Sequence, residues 1–280
     1  MSIAETIKNK LDGMTKSEYR VAMYCLGNLQ TVAFDTLESL ANKAATSTTS
    51  VLRFCRRLDF CGFKDFQDTM RAELVHQPGL PERFQKSKKY SSPKQAFLQT
   101  VEQNMQCIEK TFLGLSGAVM SDAVNRLKKA KRIFTFGMKE SFAMAHYAYT
   151  RFLTIRENVS VLSAGYNGEV ESLLSLTEED VCLVFLFHRY TRQTVQVLSV
   201  LKERKIPVIL ITSPPFDSVK DAATVLLPCY VDGGIKNTSV AAACLIDCLF
   251  NALATESGEE TLRYMKQSEA LYHAVSVLDD

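Results

Sequence analysis

The first 75 or so residues alternate short apolar stripes with polar breaks, which predicts a run of short helices. "TKSE" (Thr15 to Glu18) has the form of a capping box, in which the Thr15 hydroxyl takes an N3 amide and Glu18 reaches back. A helix from there to about Asn28 would bury Val21, Tyr24 and Cys25, with Leu29 at its end. "DTLESLANKA" begins another at Asp35 or Thr36, with Leu37, Leu40 and Ala41 on one face, and "ATSTTS" breaks it. Ser47 is a good N-cap for the third, "TTSVLRFCRRL". In that helix Val51, Phe54, Cys55 and Leu58 recur at i, i+3, i+4 and i+7, a single buried stripe. Gly62 turns the chain into a fourth helix, from about Phe63 to Leu74.

Residues 77–94, "QPGLPERFQKSKKYSSPK", have the composition of a linker. From Pro93 a long amphipathic helix is expected, with Val101, Met105, Ile108, Phe112 and Leu115 as its stripe. The pattern then changes. "RIFTFG", "VSVLS", "VCLVFLF", "PVILIT" and "TVLLPC" read as strands, separated by helical stretches that include "NGEVESLLSL" and "TRQTVQVLSVLKERK". "SVAAACLIDCLFNALA" and "EETLRYMKQSEALYHAV" close the chain as helices. Continuous apolar strands between helices predict a parallel sheet covered on both faces. Ligands of such sheets bind beyond the strand C-termini, in the turns that open the helices.

A chain of 280 residues with 46% apolar content suits about two globular domains. No uninterrupted apolar run approaches the roughly 20 residues that span a bilayer. The start, "MSIAETIKNK", has no apolar segment of a secretory signal, so the cytoplasm is the expected compartment. The 8 cysteines form no C-x-x-C pair and the histidines are scattered, so neither a disulfide framework nor a metal site is expected, and no cofactor. Net charge is only +2, but its distribution is uneven. Arg83, Lys86, Lys88, Lys89 and Lys94 crowd the linker with Glu82 against them, either as a solvated hinge or as supplementary phosphate contacts.

Two stretches carry candidate chemistry. The face of the third helix opposite its buried stripe shows Thr48, Thr49, Leu52, Arg53 and Arg56, with Arg57 at the edge. Joined to the preceding helix by a tight turn, it forms a helix-turn-helix, whose arginines and hydroxyls can reach phosphates and the guanine edge. Ser47, Thr48, Thr49, Ser50, Arg53, Arg56 and Arg57 are the candidate contacts to double-stranded DNA. The second stretch is "FLFHRYTRQT", a strand-to-helix turn of the kind that often holds a phosphate through glycine and serine. Here it carries His188, Arg189, Tyr190 and Thr191.

The order of parts and the turn residues resemble the RpiR family of bacterial transcriptional regulators, which join a helix-turn-helix domain to a sugar isomerase (SIS) domain that senses phosphosugars. "LANKAATSTTSVLRFCRRLDFCGFKDFQ" is similar to the family signature, with Arg53, Phe54, Leu58, Phe60, Gly62, Phe63 and Phe66 at the expected places and Asp59 where Gly is usual. The resemblance implies an all-α helix-turn-helix domain at 1–76, the linker at 77–94 and an α/β three-layer SIS domain with a parallel sheet at 95–280. The family's G-x-G-x-S turn is Gly137-Met138-Lys139-Glu140-Ser141 here, and its S-x-S-G-x-T turn is Leu186 to Thr191, with Thr191 alone kept. "ITSPPFDSVKDAATVLLP" matches the fourth strand and its sequel, with Thr212 and Ser218 in place.

The expected function is therefore a non-enzymatic, DNA-binding regulator, a homodimer or higher oligomer, whose SIS domain senses a small anion such as a phosphosugar. Lys139, Glu140, Ser141, His188, Arg189 and Thr191 are its candidate effector residues, with Arg192 adding charge nearby. If the protonated form of His188 contacts the anion, affinity should fall as pH rises through its pKa. One alternative is an SIS domain kept only for dimerisation. A remoter one is an isomerase using His188, Glu169 or Glu171 as base.

Overall fold

The computed structural model describes residues 3–33, 35–75, 79–87, 92–162 and 170–275. They fall into two compact units, Met1–Pro78 and Gly79–Asp280. The first contains α1 (Ile3–Asn9), α2 (Lys16–Gly27), α3 (Leu29–Val32), α4 (Leu37–Lys43), α5 (Thr48–Arg57) and α6 (Phe63–Val75). Its core gathers the predicted stripes: Val21 and Cys25 of α2, Leu40 and Ala41 of α4, and Val51, Phe54 and Cys55 of α5 are all buried. Phe66 closes the core edge-on to Phe54, ring centroids 5.6 Å apart.

The second unit begins with α7 (Leu80–Ser87), inside the segment read from sequence as linker. It continues with α8 (Pro93–Leu113), α9 (Gly117–Lys129), β1 (Ile133–Gly137), α10 (Glu140–Leu153), β2 (Val159–Val161), β3 (Val181–Leu186), α11 (Arg192–Glu203), β4 (Val208–Thr212), β5 (Val225–Pro228) and α12 (Val240–Ala274). The strands form a five-stranded sheet of order β2-β1-β3-β4-β5, every neighbouring pair parallel. Alternation along each strand feeds two cores. Ile133, Leu183, Phe185, Ile209 and Ile211 pack with α9, α10 and α12 on one face. Phe134, Phe136, Cys182, Val184 and Leu210 pack with α11 and Leu173 on the other. This is the three-layer arrangement expected.

Three details differ from the sequence reading. "NGEVESLLSL" contributes a 3-10 stretch, Val170–Ser175, in place of an α-helix, and Arg204 caps it by donating to the carbonyls of Leu173, Leu174 and Leu176. Glu169 lies outside the described residues, and Glu171 is exposed. On α8 the buried positions are Cys107 and Thr111, flanked by Ile108 and Phe112, whereas Val101 and Met105 are exposed with Phe97 and Leu98. Finally, α12 is by length and composition apolar enough to cross a membrane, although no uninterrupted run is. Ala-rich spacing raises its mean hydropathy, yet Leu245, Ile246, Leu249 and Leu253 pack on the sheet. Gly258 (φ 40°, ψ −107°) breaks this helix between the two segments read separately from sequence.

Candidate functional site

Helices α4 and α5 meet through a turn whose backbone is fully specified. Ala45 N–H donates to Asn42 O (3.0 Å) and Thr46 N–H to Ala41 O (2.9 Å), a Schellman ending with Ala45 left-handed at φ 49°. Arg20 Nη1 fixes the turn by donating to Ala45 O at 2.9 Å. Ser47 then caps α5, accepting from Ser50 N–H at 3.2 Å with the two hydroxyls 3.0 Å apart. Thr49, Arg53 and Arg56 are exposed along α5, while Thr48 and Ser50 are half-buried. Arg53 and Arg56 make no ion pair among the described residues. Arg57 differs: its Nε lies 3.2 Å from Glu18 Oε2, the carboxylate that closes the capping box of α2. Arg57 thus braces α5 on α2. Asp59, in the family's glycine position, takes φ 68° at the end of α5, where Phe60 N–H reaches back to Cys55 O at 3.1 Å. Aspartate tolerates the left-handed region, so the turn is kept, and Lys10 pairs with its carboxylate.

In the second unit, β1 pairs with β2 on one side and β3 on the other, and Gly137 registers against Phe185. The helix after β1 packs on one face of the sheet and the helix after β3 on the other. The two turns therefore part at the C-terminal edge, the topological switch point of an open α/β sheet. Gly137 is dictated by packing, because a Cβ there would lie 2.4 Å from Ser141 O. Lys139 is the N-cap of α10, at φ 54° and ψ −122°, a backbone region that favours glycine. Lys139, Glu140, Arg189 and Arg192 are exposed; Ser141 and Thr191 are half-buried. Glu140 pairs with Lys236. Thr191 N-caps α11 without a side-chain cap bond, its hydroxyl 2.6 Å from that of buried Thr194.

His188 is placed otherwise than its expected role requires. Its ring is buried and stacks on Tyr190, centroids 3.9 Å apart and 15° from parallel. Nε2 lies 2.7 Å from Pro215 O, and a carbonyl only accepts, so Nε2 carries a proton there. Burial lowers the His188 pKa below its ordinary value of 6.5, with the bond to Pro215 acting the other way. The buried ring ties the turn to the β4 exit, and its burial disfavours the cationic form that the sequence expectation invoked. Tyr190 completes the tie through contacts to Thr212 Oγ1 (3.1 Å), Ser213 O (3.2 Å) and Pro215 O (3.2 Å), and burial pushes its phenol up to about 12. His188 N–H donates to Ser213 Oγ at 3.2 Å.

Sequence reasoning missed the loop 232–238 before α12. Asn237 Nδ2 donates to His188 O, Lys236 pairs with Glu140, and Arg83 of α7 donates to Gly234 O and Asn237 Oδ1. The signal was present in "VDGGIKNTS", a double glycine before a helix start. Among the described residues no cluster of metal-ligating side chains occurs. The cysteines in the cores act as small apolar groups; burial pushes the Cys55 and Cys229 thiols up to about 12.

These two arrangements are a helix-turn-helix unit and a five-stranded parallel-sheet unit with a topological switch point between β1 and β3. Residues 1–77 match the helix-turn-helix domain of the rpiR family and residues 126–252 match the SIS domain. The chain belongs to the RpiR family, a regulator with helix-turn-helix and SIS domains. It is similar to the HTH-type transcriptional regulator HexR of Escherichia coli K12, 27% identical over 217 residues that cover 76% of this chain and 73% of HexR. It is also similar to an HTH-type transcriptional regulator of Haemophilus influenzae, 24% identical over 276 residues that cover 95% of this chain and 94% of the other. Among solved structures, the Vibrio vulnificus NanR protein complexed with ManNAc-6P shares the fold over 99% of both chains, with a TM-score of 0.57 at 18% identity. The sugar isomerase domain of an RpiR transcription factor from Sphaerobacter thermophilus does so over 62% of this chain and 97% of its own, with a TM-score of 0.59 at 20% identity.

Proposed function

We propose that this regulator binds double-stranded DNA through α5 and senses a small anion, of the phosphosugar class, at the switch point of its sheet. The observation that carries the sensing reading is Lys139. A strained backbone at a ligand turn persists where the side chain has work to do, and here a cation stands in a glycine conformation at the mouth of the crevice. Exposed Arg189 on the opposite turn adds a planar donor fork suited to phosphate or carboxylate. Ser141 and Thr191 supply hydroxyls, and Lys236 offsets Glu140. Anion binding by side chains thus takes the place of a glycine- and serine-lined cradle. The NanR complex with ManNAc-6P supports the ligand class. A thermal-shift titration of the full chain with inorganic phosphate, ManNAc-6P and arabinose 5-phosphate tests it, since a ligand of the folded form raises the melting temperature by mass action.

A second reading, an SIS domain kept for dimerisation alone, is favoured by one observation: His188 and Tyr190 are tied inward to the β4 exit. The absence of any anion-dependent stabilisation would select it. In both readings a second copy covers the exposed apolar face of α8, where Phe97, Leu98, Val101 and Met105 lie. A dimer also suits DNA, because two-fold symmetry sets two reading helices on successive major-groove turns of a near-palindromic operator. This reading places the protein in the cytoplasm and assigns it no catalysis.

A further inference from the structure

Arg83 lies on α7, the first helix of the second unit, and the chain before it is that of the helix-turn-helix unit. It is half-buried against the loop 232–238, donating Nε–H to Gly234 O at 2.8 Å and Nη1–H to Asn237 Oδ1 at 2.9 Å. Both acceptors are neutral, and among the described residues the guanidinium has no carboxylate within ion-pair distance. Asn237 passes the contact on, donating from Nδ2 to His188 O in the turn after β3. The start of α7 meets the same turn, since a Cβ on Gly79 would lie 4.0 Å from Arg189 Nη1. The loop that carries these contacts is tightly folded: a Cβ on Gly233 would meet Lys236 O at 2.4 Å and Thr238 N at 2.7 Å. Burial holds the Arg83 guanidinium below its ordinary pKa and nearby Arg189 adds to the fall, while Asp232 and Glu140 act against it. Arginine keeps its charge regardless. A half-buried cation whose hydrogen bonds go to neutral oxygens, with Asp232 and Glu140 near but not in contact and a second guanidinium beside it, gains from a directly bound anion.

We propose that Arg83 is an anion-binding residue of the crevice and that, with Arg189, it closes on the same oxyanion. The proposal rests on the crevice being an anion site. It adds that the segment leading from the helix-turn-helix unit supplies part of that site. Occupancy then fixes α7, so ligand and tether share one residue.

The test uses the full chain, with Arg83→Met to keep the apolar stem and Arg83→Lys to keep the charge. Inorganic phosphate, ManNAc-6P and arabinose 5-phosphate are the calorimetric probes, and hydrogen exchange across Leu80–Ser87 is the second readout. The anion should slow exchange in α7 of the wild type. Arg83→Met should weaken binding about tenfold or more, the scale of a lost charge-assisted hydrogen bond, and abolish the slowing. Arg83→Lys should fall between the two. Wild-type affinity in both variants, with α7 exchange indifferent to the probe, would make Arg83 a structural clamp and overturn the inference while leaving the crevice reading intact. No binding of any probe by the wild type would remove the crevice reading, and this inference with it.

Discussion

Lys139 concentrates the cost of the site in one residue. A non-glycine residue held at φ 54° and ψ −122° costs on the order of 1–3 kcal/mol, so Lys139→Gly should raise stability by about that amount. If the cation serves an anion, the same change should weaken phosphate binding; denaturant unfolding and calorimetry on one preparation check both signs. His188 makes a second prediction. Its pKa is lowered in the folded chain, so below the ordinary value of 6.5 the unfolded chain binds more protons than the folded one. Stability from this group is therefore present above about pH 6.5 and lost as pH falls toward the lowered pKa. His188→Asn should flatten that part of the pH–stability profile, while anion affinity between pH 6.5 and 8 should show no His188-dependent fall. The burial of the His188 ring has a cause outside its own turn. Sequence shows that a histidine stands in the turn, but only the fold shows Pro215 O and Tyr190 receiving its ring.

At the scale of elements, α5 should divide its arginines by role. Arg53→Ala or Arg56→Ala should weaken operator binding by about 1–3 kcal/mol if that residue reads a base, with little change in unfolding. Arg57→Ala should instead cost up to about 1 kcal/mol of stability, the scale of a partly exposed ion pair, because it releases Glu18. In the turn before α5, Ala45→Gly should stabilise the unit by roughly 1 kcal/mol, since Ala45 sits left-handed where glycine is unstrained. The strands were legible because a buried parallel strand is a short, unbroken apolar run, and β1, β3 and β4 are buried along their full length. The stripes of α2, α4 and α5 were legible because one helix face meets one core. The stripe of α8 was only half legible. Ile108 and Phe112 pack on the core, but Val101 and Met105 repeat the same pattern and remain exposed, because periodicity cannot tell a core from an interface. The segment Leu80–Ser87 read as linker because Pro81, its charges and the prolines and glycine that flank it mask a helix made by Glu82 capping Gly79 N–H and by Arg83 seating on a distant loop.

For the molecule as a whole, the exposed face of α8 and the proposed two-fold DNA contact both call for a dimer. Light scattering at micromolar concentration should give twice the chain mass, and Val101→Glu with Met105→Glu should shift it toward the monomer. The position of the switch point between β1 and β3 was legible in the sequence, because the turns that flank it follow from the alternation of strands and helices. The contacts around its turns were only partly so, because Asn237 reaches His188, Lys236 reaches Glu140 and Arg83 reaches Asn237 from distant positions in the chain. The most direct test of the central claim, that side-chain cations hold an anion at the switch point, is calorimetric titration of the full chain. N-acetylmannosamine 6-phosphate, its unphosphorylated sugar and inorganic phosphate would be compared on wild type, Arg189→Ala and His188→Leu. The account predicts saturable binding of the phosphate-bearing probes alone, weakened at least about tenfold by Arg189→Ala and kept by His188→Leu. Binding that ignores the phosphate, or survives Arg189→Ala together with Lys139→Ala unchanged, would contradict it.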